Sequence, residues 1–176
     1  MYGEGCAALV LERQDTAQRA HGTVLGWGQV YDGTRGPEPH TRGQQRAILD
    51  ALRMAELEPG QIDYVNPRGT GSPLGDRTEL ESLDAVGLKH CWINATKSLT
   101  GHCLTASGAI EVVATLLQLG SGFLHPNRNL ERPIDASFRW VPNHVLDTDL
   151  RFAVSTSFAF GGLSTALVLG PPPTSA

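Results

Sequence analysis

Trp92-Ile93-Asn94-Ala95-Thr96-Lys97-Ser98-Leu99-Thr100-Gly101-His102, followed by the nearly uncharged run Leu104 to Leu119, decides the fold class of this chain. A short apolar strand passes through a polar, glycine-punctuated loop into a long apolar helix. That is the strand–loop–helix unit of an α/β protein. Working outward, the same alternation recurs. Val24 to Val30 reads as a strand broken by Gly26 and Gly28, and Tyr31 to Arg42 as a loop. Ala47, Ile48, Ala51, Leu52 and Ala55 recur at helical spacing between Gly43 and Leu57, where Glu58-Pro59-Gly60 stops the helix. Ile62 to Val65 reads as a strand. Asp76, with Glu79 three residues on, has the spacing of a capping box for a helix reaching about Val86. Phe138 to Val141 is a further short strand. Arg151 to Ser155 and Thr165 to Leu169 are expected to pair around a loop, Thr156 to Ser164. The expected fold is an α/β layer sandwich on a mixed sheet, one domain over 1–170 with a frayed Pro-rich tail at 171–176.

The N-terminal stretch Cys6-Ala7-Ala8-Leu9-Val10-Leu11 has the continuous apolar character of a strand buried on both faces. It begins with almost no lead-in, so the upstream part of its fold is expected elsewhere. The helix from Leu104 is expected to be buried on most sides.

A 40% apolar and 18% charged composition is globular, and 176 residues can bury a sizeable core. The net charge of -4, with 14 scattered basic residues, speaks against nucleic-acid binding and against attraction to an anionic membrane surface. No signal peptide is apparent, and no apolar run is expected to span a bilayer. The three cysteines, Cys6, Cys91 and Cys103, form no C-x-x-C pair. They suggest inert thiols in a reducing cytoplasm rather than disulfides or a metal site.

Three loops leaving predicted strands carry the unusual residues: Asn66 to Asp76, Thr96 to His102, and Ser155 to Gly162. Open α/β sheets place ligands at the carboxyl ends of their strands, so these loops are expected to converge on one site.

In order and spacing the three loops, with Gly3-Glu4-Gly5 ahead of them, resemble the β-ketoacyl synthases, the condensing enzymes of fatty acid and polyketide synthesis. The family pattern runs Asn-Ala-His-Gly-Thr-Gly-Thr-Pro-x-Gly-Asp-x-x-Glu, then Thr-Lys-Ser-x-Thr-Gly-His with a glutamate nine residues on, then Asn-Ser-Phe-Gly-Phe-Gly-Gly-Thr-Asn. The match reaches from Gly3 to Leu169 and corresponds to the C-terminal part of such an enzyme. The resemblance implies half of a thiolase-like fold, a mixed sheet layered with helices. It implies that the nucleophilic cysteine lies in the first half, and none of the three cysteines matches it.

By the same resemblance Lys97 and His102 fall on the lysine and histidine that decarboxylate the malonyl extender, and Glu111 on the glutamate that holds the lysine. Thr70, Phe158, Phe160, Gly161 and Gly162 fall on substrate-binding or gating positions, with Phe160 at the gate. The implied substrates are acyl thioesters on the phosphopantetheine arm of an acyl carrier protein, with no bound cofactor and no metal. The implied partners are a first half or related synthase subunit, in a homo- or hetero-oligomer, and the carrier protein. The pattern departs at Arg68, where the family has its first active-site histidine. Arginine stays protonated and cannot accept a hydrogen bond. It either stabilises an oxyanion or binds an anion, or it fills the cavity of a site that has lost its chemistry. Thr156, Ala159 and Leu163-Ser164 also depart, and Ala159 requires a negative φ. The expected function is half of a split or degenerate synthase that does not elongate. The alternative is a scaffold that binds a carrier protein or partner synthase.

Overall fold

The computed structural model describes residues 1–173. In chain order the elements are β1 (Thr23–Tyr31), α1 (Thr41–Met54), β2 (Tyr64–Asn66), α2 (Pro73–Ala85), β3 (Trp92–Ile93), α3 (Lys97–Thr100), α4 (Ser107–Ser121), β4 (Phe123–Leu124), β5 (Arg139–Trp140), β6 (Leu146–Asp147), β7 (Ala153–Phe158) and β8 (Leu163–Gly170). Six strands form one mixed sheet in the order β1-β8-β7-β2-β3-β5, and β4 pairs with β6 in a small second sheet. β8 runs antiparallel to both of its neighbours, β1 and β7, whereas β7, β2, β3 and β5 are parallel. The carboxyl ends of β2, β3 and β7 therefore point the same way, and this parallel block positions the site.

α1 and α2 cover one face, burying Ile48, Leu52, Leu83 and the inward side chains of Val65, Ile93, Val154 and Val168. Gly26 and Gly28 do not break β1. They let α1 settle onto it: a Cβ on Gly28 would lie 2.0 Å from the Ala47 carbonyl oxygen. β1 runs unbroken through both glycines, with an irregularity between Val24 and Gly26.

α2 starts earlier than expected. Ser72 is its N-cap, accepting from the Gly75 N–H, and Pro73 opens the first turn. Asp76 and Glu79 are free for other partners, so the predicted capping box is corrected to a Ser-Pro start.

The opposite face of the sheet is covered by α4 and the small β4–β6 pair, over a smaller core of Tyr64, Leu124, Val141 and Ala153. α4 is not buried on most sides. Its buried residues, Ser107, Glu111, Val112, Thr115 and Gln118, are mainly polar, and Leu117 on the other side is 53% exposed. The stretch Leu104–Ser121, 18 residues of mean hydropathy 1.3, also corrects the expectation about membrane-length runs, since by length and composition it could cross one. Its buried polar stripe packs against the sheet in this fold.

The predicted strand at Cys6 to Leu11 does not form. Val10 and Leu11 are largely exposed, and Cys6 is exposed rather than set in a strand. Continuous apolar character needs a pairing edge as well as a core, and this stretch has neither here. The only bridge near the N-terminus joins Tyr2 to His102, among the described residues. Of the Pro-rich tail, Pro171 accepts a hydrogen bond from the Thr23 hydroxyl, 2.9 Å, and residues 174–176 lie outside the described residues.

Candidate functional site

Loop one leaves β2 at Asn66. The Arg68 N–H donates to Glu79 (2.8 Å) and the Thr156 hydroxyl (3.1 Å), and the Gly69 N–H donates to the second Glu79 oxygen, 3.0 Å. Thr156 donates in turn to Glu79, 2.7 Å. Burial pushes the Glu79 carboxyl above its ordinary range despite these three donors. Asp76 braces the next turn by accepting from the Thr70 N–H, 3.1 Å. Thus Asp76 and Glu79 are structural, but they hold loop one rather than cap α2.

Loop two leaves β3, the parallel neighbour of β2. The loops touch at Gly69, where φ is +44° and an added Cβ would lie 2.7 Å from that of Ala95. The single turn of α3 turns Lys97 inward to an ion pair with Glu111, both side chains being almost fully buried. Burial raises the Glu111 pKa to about 7; Lys97 lowers it in part and Glu79 adds to the rise. The second Glu111 oxygen, the Thr115 hydroxyl and the Asn66 Nδ2 have no protein partner among the described residues.

His102 is held through Nδ1, which lies 3.1 Å from the Leu104 N–H and 3.0 Å from the Ser107 hydroxyl. A backbone N–H can only donate, so Nδ1 accepts and the neutral ring carries its proton on Nε2. Leu104 reaches this position at φ +51°, an uncommon conformation for a leucine. Burial, Lys97 and Arg68 all hold the His102 pKa below its ordinary value, favouring the neutral ring with Nε2–H as a donor.

Arg68 stands at the end of β2 with its Nη1 3.3 Å from where a Cβ on Gly75 would lie, over the first turn of α2. Among the described residues no carboxylate lies within 4 Å of its guanidinium, and no side-chain hydrogen bond holds it.

A cleft of about 480 Å³ beside these loops is lined by Gly69, Thr70, Lys97, His102, Arg128 and Trp140, among others. Loops one and two thus converge as expected, but loop three does so only through Thr156. Ser155 to Phe158 belong to β7, and Phe158 is a core residue at 7% exposure. Phe160 is 70% exposed at the β7–β8 turn and does not line the cleft. The turn is held elsewhere, the Gly161 N–H donating to Gly36, 2.9 Å. Gly161 and Gly162 both have positive φ, and Ala159 does not.

A buried polar chain beneath loop two escaped the sequence reading. Gln118 donates to the Tyr64 hydroxyl (3.2 Å), Tyr64 to Asn94 (2.5 Å), and Asn94 to the His125 carbonyl, 2.6 Å. His125 Nε2 meets the Thr96 hydroxyl at 3.2 Å, and Thr96 contacts Asn66, also 3.2 Å. The signal was present: Glu111, Thr115 and Gln118 recur at helical spacing as a polar stripe, and Tyr64 and Asn66 share one face of a strand.

All three cysteines are free, Cys6 exposed and Cys91 and Cys103 buried. Burial pushes the Cys91 thiol up to about 12, and its Sγ donates to the Ile62 carbonyl, 3.1 Å.

Residues 21–131 match the family model described as Beta-ketoacyl synthase, C-terminal domain. The chain is 46% identical over 173 residues to the polyketide biosynthesis malonyl-ACP decarboxylase PksF of Bacillus subtilis (strain 168), covering 96% of this chain and 42% of that protein. It is 33% identical over 180 residues to 3-oxoacyl-[acyl-carrier-protein] synthase 2 of Coxiella burnetii (strain RSA 493 / Nine Mile phase I), covering 96% and 43%. Among solved structures, the ishigamide ketosynthase/chain length factor superposes with a TM-score of 0.82 at 33% identity, over 87% of this chain and 38% of that one. A β-ketoacyl synthase from Burkholderia phymatum STM815 also gives 0.82, at 30% identity, over 86% and 38%. The chain spans less than half the length of these curated relatives. With its mixed sheet matching half of a thiolase-like fold, the chain belongs to the β-ketoacyl synthase family, as its C-terminal domain.

Proposed function

We propose that this chain supplies the decarboxylating half of a β-ketoacyl synthase-type enzyme acting on malonyl thioesters carried by an acyl carrier protein, and that the enzyme does not elongate. The carrying observation is the pairing of a buried Lys97–Glu111 ion pair with a His102 whose Nε2–H is free to donate. A neutral imidazole donor beside an ammonium is suited to charge developing on a thioester oxygen. Arg68 replaces the proton-accepting residue of the family pattern with a group that only donates, which suits enolate formation better than the full condensation cycle. The similarity to a malonyl-ACP decarboxylase supports this reading.

The reading requires the other half of the fold as well, since this chain spans less than half the length of the curated relatives. Exposed apolar side chains available to it include Leu11 and Trp27, which line one cleft together with Val112 of α4.

The test is to incubate the complete enzyme with malonyl-carrier protein and identify the carrier-bound products by mass spectrometry. The expected product is acetyl-carrier protein. A chain-lengthened product overturns the reading, and binding of carrier protein with no turnover favours the scaffold. Arg68→His should raise condensation.

A further inference from the structure

We infer that His125 is a positioning residue, holding loop two from behind so that Lys97 is presented to Glu111 and to the cleft in one geometry. The inference rests on the decarboxylase reading and adds to it what fixes the lysine. Three observations carry it. First, the residues on either side of Lys97 are both tied to the stretch that follows β4. The Thr96 hydroxyl meets His125 Nε2 at 3.2 Å, and the Arg128 N–H donates to the Ser98 hydroxyl, also 3.2 Å. Second, the other ring nitrogen of His125 is engaged as well. Nδ1 lies 3.2 Å from the Asn94 amide nitrogen and 3.1 Å from the Pro126 carbonyl oxygen, so the ring cannot turn without giving up a contact. Third, the His125 backbone is anchored on two sides. Its N–H donates to Gln118 Oε1 at 2.9 Å, and its carbonyl accepts from Asn94, just after β3, at 2.6 Å. Gln118 lies on α4, the helix that also carries Glu111. The helix that grips the Lys97 ammonium therefore also holds the stretch that grips its backbone.

The need for such a brace follows from local structure. α3 has four residues, too few to be stable by itself. Its turn closes on Thr96, whose carbonyl accepts from the Leu99 N–H (2.9 Å) and the Thr100 N–H (3.2 Å). Whatever holds Thr96 therefore sets the direction in which the Lys97 side chain leaves the backbone. Thr96 and His125 are both buried, and polar groups at that depth are costly unless each finds a partner. Pairing with each other, and with Asn66 and Asn94, removes that cost and leaves one favoured arrangement. Glu111 fixes the far end of the lysine, and His125, through Thr96, fixes the near end. His125 does not line the cleft, so its effect on the chemistry passes through loop two. Displacing a reacting group by about an ångström can cost about 10²-fold in rate, and a partial loosening costs less.

The test compares His125→Asn, His125→Gln, Thr96→Val and the double variant His125→Asn/Thr96→Val with the unsubstituted complete enzyme. Acetyl-carrier protein formed from malonyl-carrier protein is followed by mass spectrometry, and the rate at which acetic anhydride labels Lys97 is measured separately by peptide mapping. A glutamine amide reaches the place of Nε2 and can donate or accept there, whereas an asparagine amide reaches only the place of Nδ1. His125→Asn should lower kcat by about tenfold with KM changed by less than about threefold, and His125→Gln should recover most of that loss. Thr96→Val cuts the same link together with the one to Asn66, so the double variant should be no slower than Thr96→Val alone. Lys97 labelling should rise about fivefold in His125→Asn, the change in local opening expected from one lost hydrogen bond, and stay near its original rate in His125→Gln. Thr96→Val keeps the test decisive if the asparagine variant does not assemble. Equal kcat in the asparagine and glutamine variants, losses that multiply in the double variant, or a loss confined to KM overturns the inference. Absence of acetyl product from the unsubstituted enzyme overturns the decarboxylase reading, whereas Lys97 labelling that is alike in His125→Asn and the unsubstituted enzyme overturns the positioning inference alone.

Discussion

Glu111 is nearly fully buried, holds Lys97 with one oxygen and leaves the other without a protein partner. Burial outweighs the ammonium, so its pKa rises from 4.5 to about 7. The sign follows from proton uptake. Between these values the folded state binds more protons than the unfolded state, so stability is full below 4.5 and falls as pH rises through 7. A shift of this size integrates to about 3 kcal/mol above pH 7, at about 1.4 kcal/mol per pH unit. Roughly 2 kcal/mol of it falls between about pH 5 and about pH 7.5. Glu111→Gln removes that titration. Urea unfolding of both proteins at the two pH values isolates the effect as a difference of differences. The unsubstituted protein should lose about 2 kcal/mol relative to Glu111→Gln on going to the higher pH. A difference constant within about 0.5 kcal/mol, near the precision of such comparisons, would refute the reasoning and mean that Lys97 holds the carboxylate at its ordinary pKa.

Two further outcomes follow from packing. Gly28→Ala places a Cβ against the Ala47 carbonyl at 2.0 Å and must push α1 off β1. It should lower stability by about 2 kcal/mol or more in thermal or chemical melts. Cys91, buried and with its thiol pushed up to about 12, should resist iodoacetamide in the folded protein and react on unfolding; peptide mapping of alkylated protein reads this directly.

The fold was legible where local chemistry and burial agree. The helical spacing from Ala47 to Leu52 and the strand–loop–helix run around Lys97 needed only periodicity. The negative φ required at Ala159 was equally readable, since a Cβ disfavours the left-handed region. Cys6 to Leu11 was misread because apolar character states a need for burial and not the partner that provides it. α4 was misread for a related reason. Its few polar residues look incidental in one dimension but fall on a single face in three, and that face packs against the sheet.

For the site, sequence alone determined which groups are present: Lys97, His102 and Glu111 at family spacing, and an arginine where a histidine was expected. Tertiary structure decided how they are held. It shows Glu79 serving two backbone amides of loop one, and a Leu104 N–H setting the His102 tautomer. It also turns Phe160 outward, away from the cleft. Residue type fixes what an atom can donate or accept. Which partner it finds depends on strands that meet only when the chain has folded, and no spacing along the chain encodes that distance.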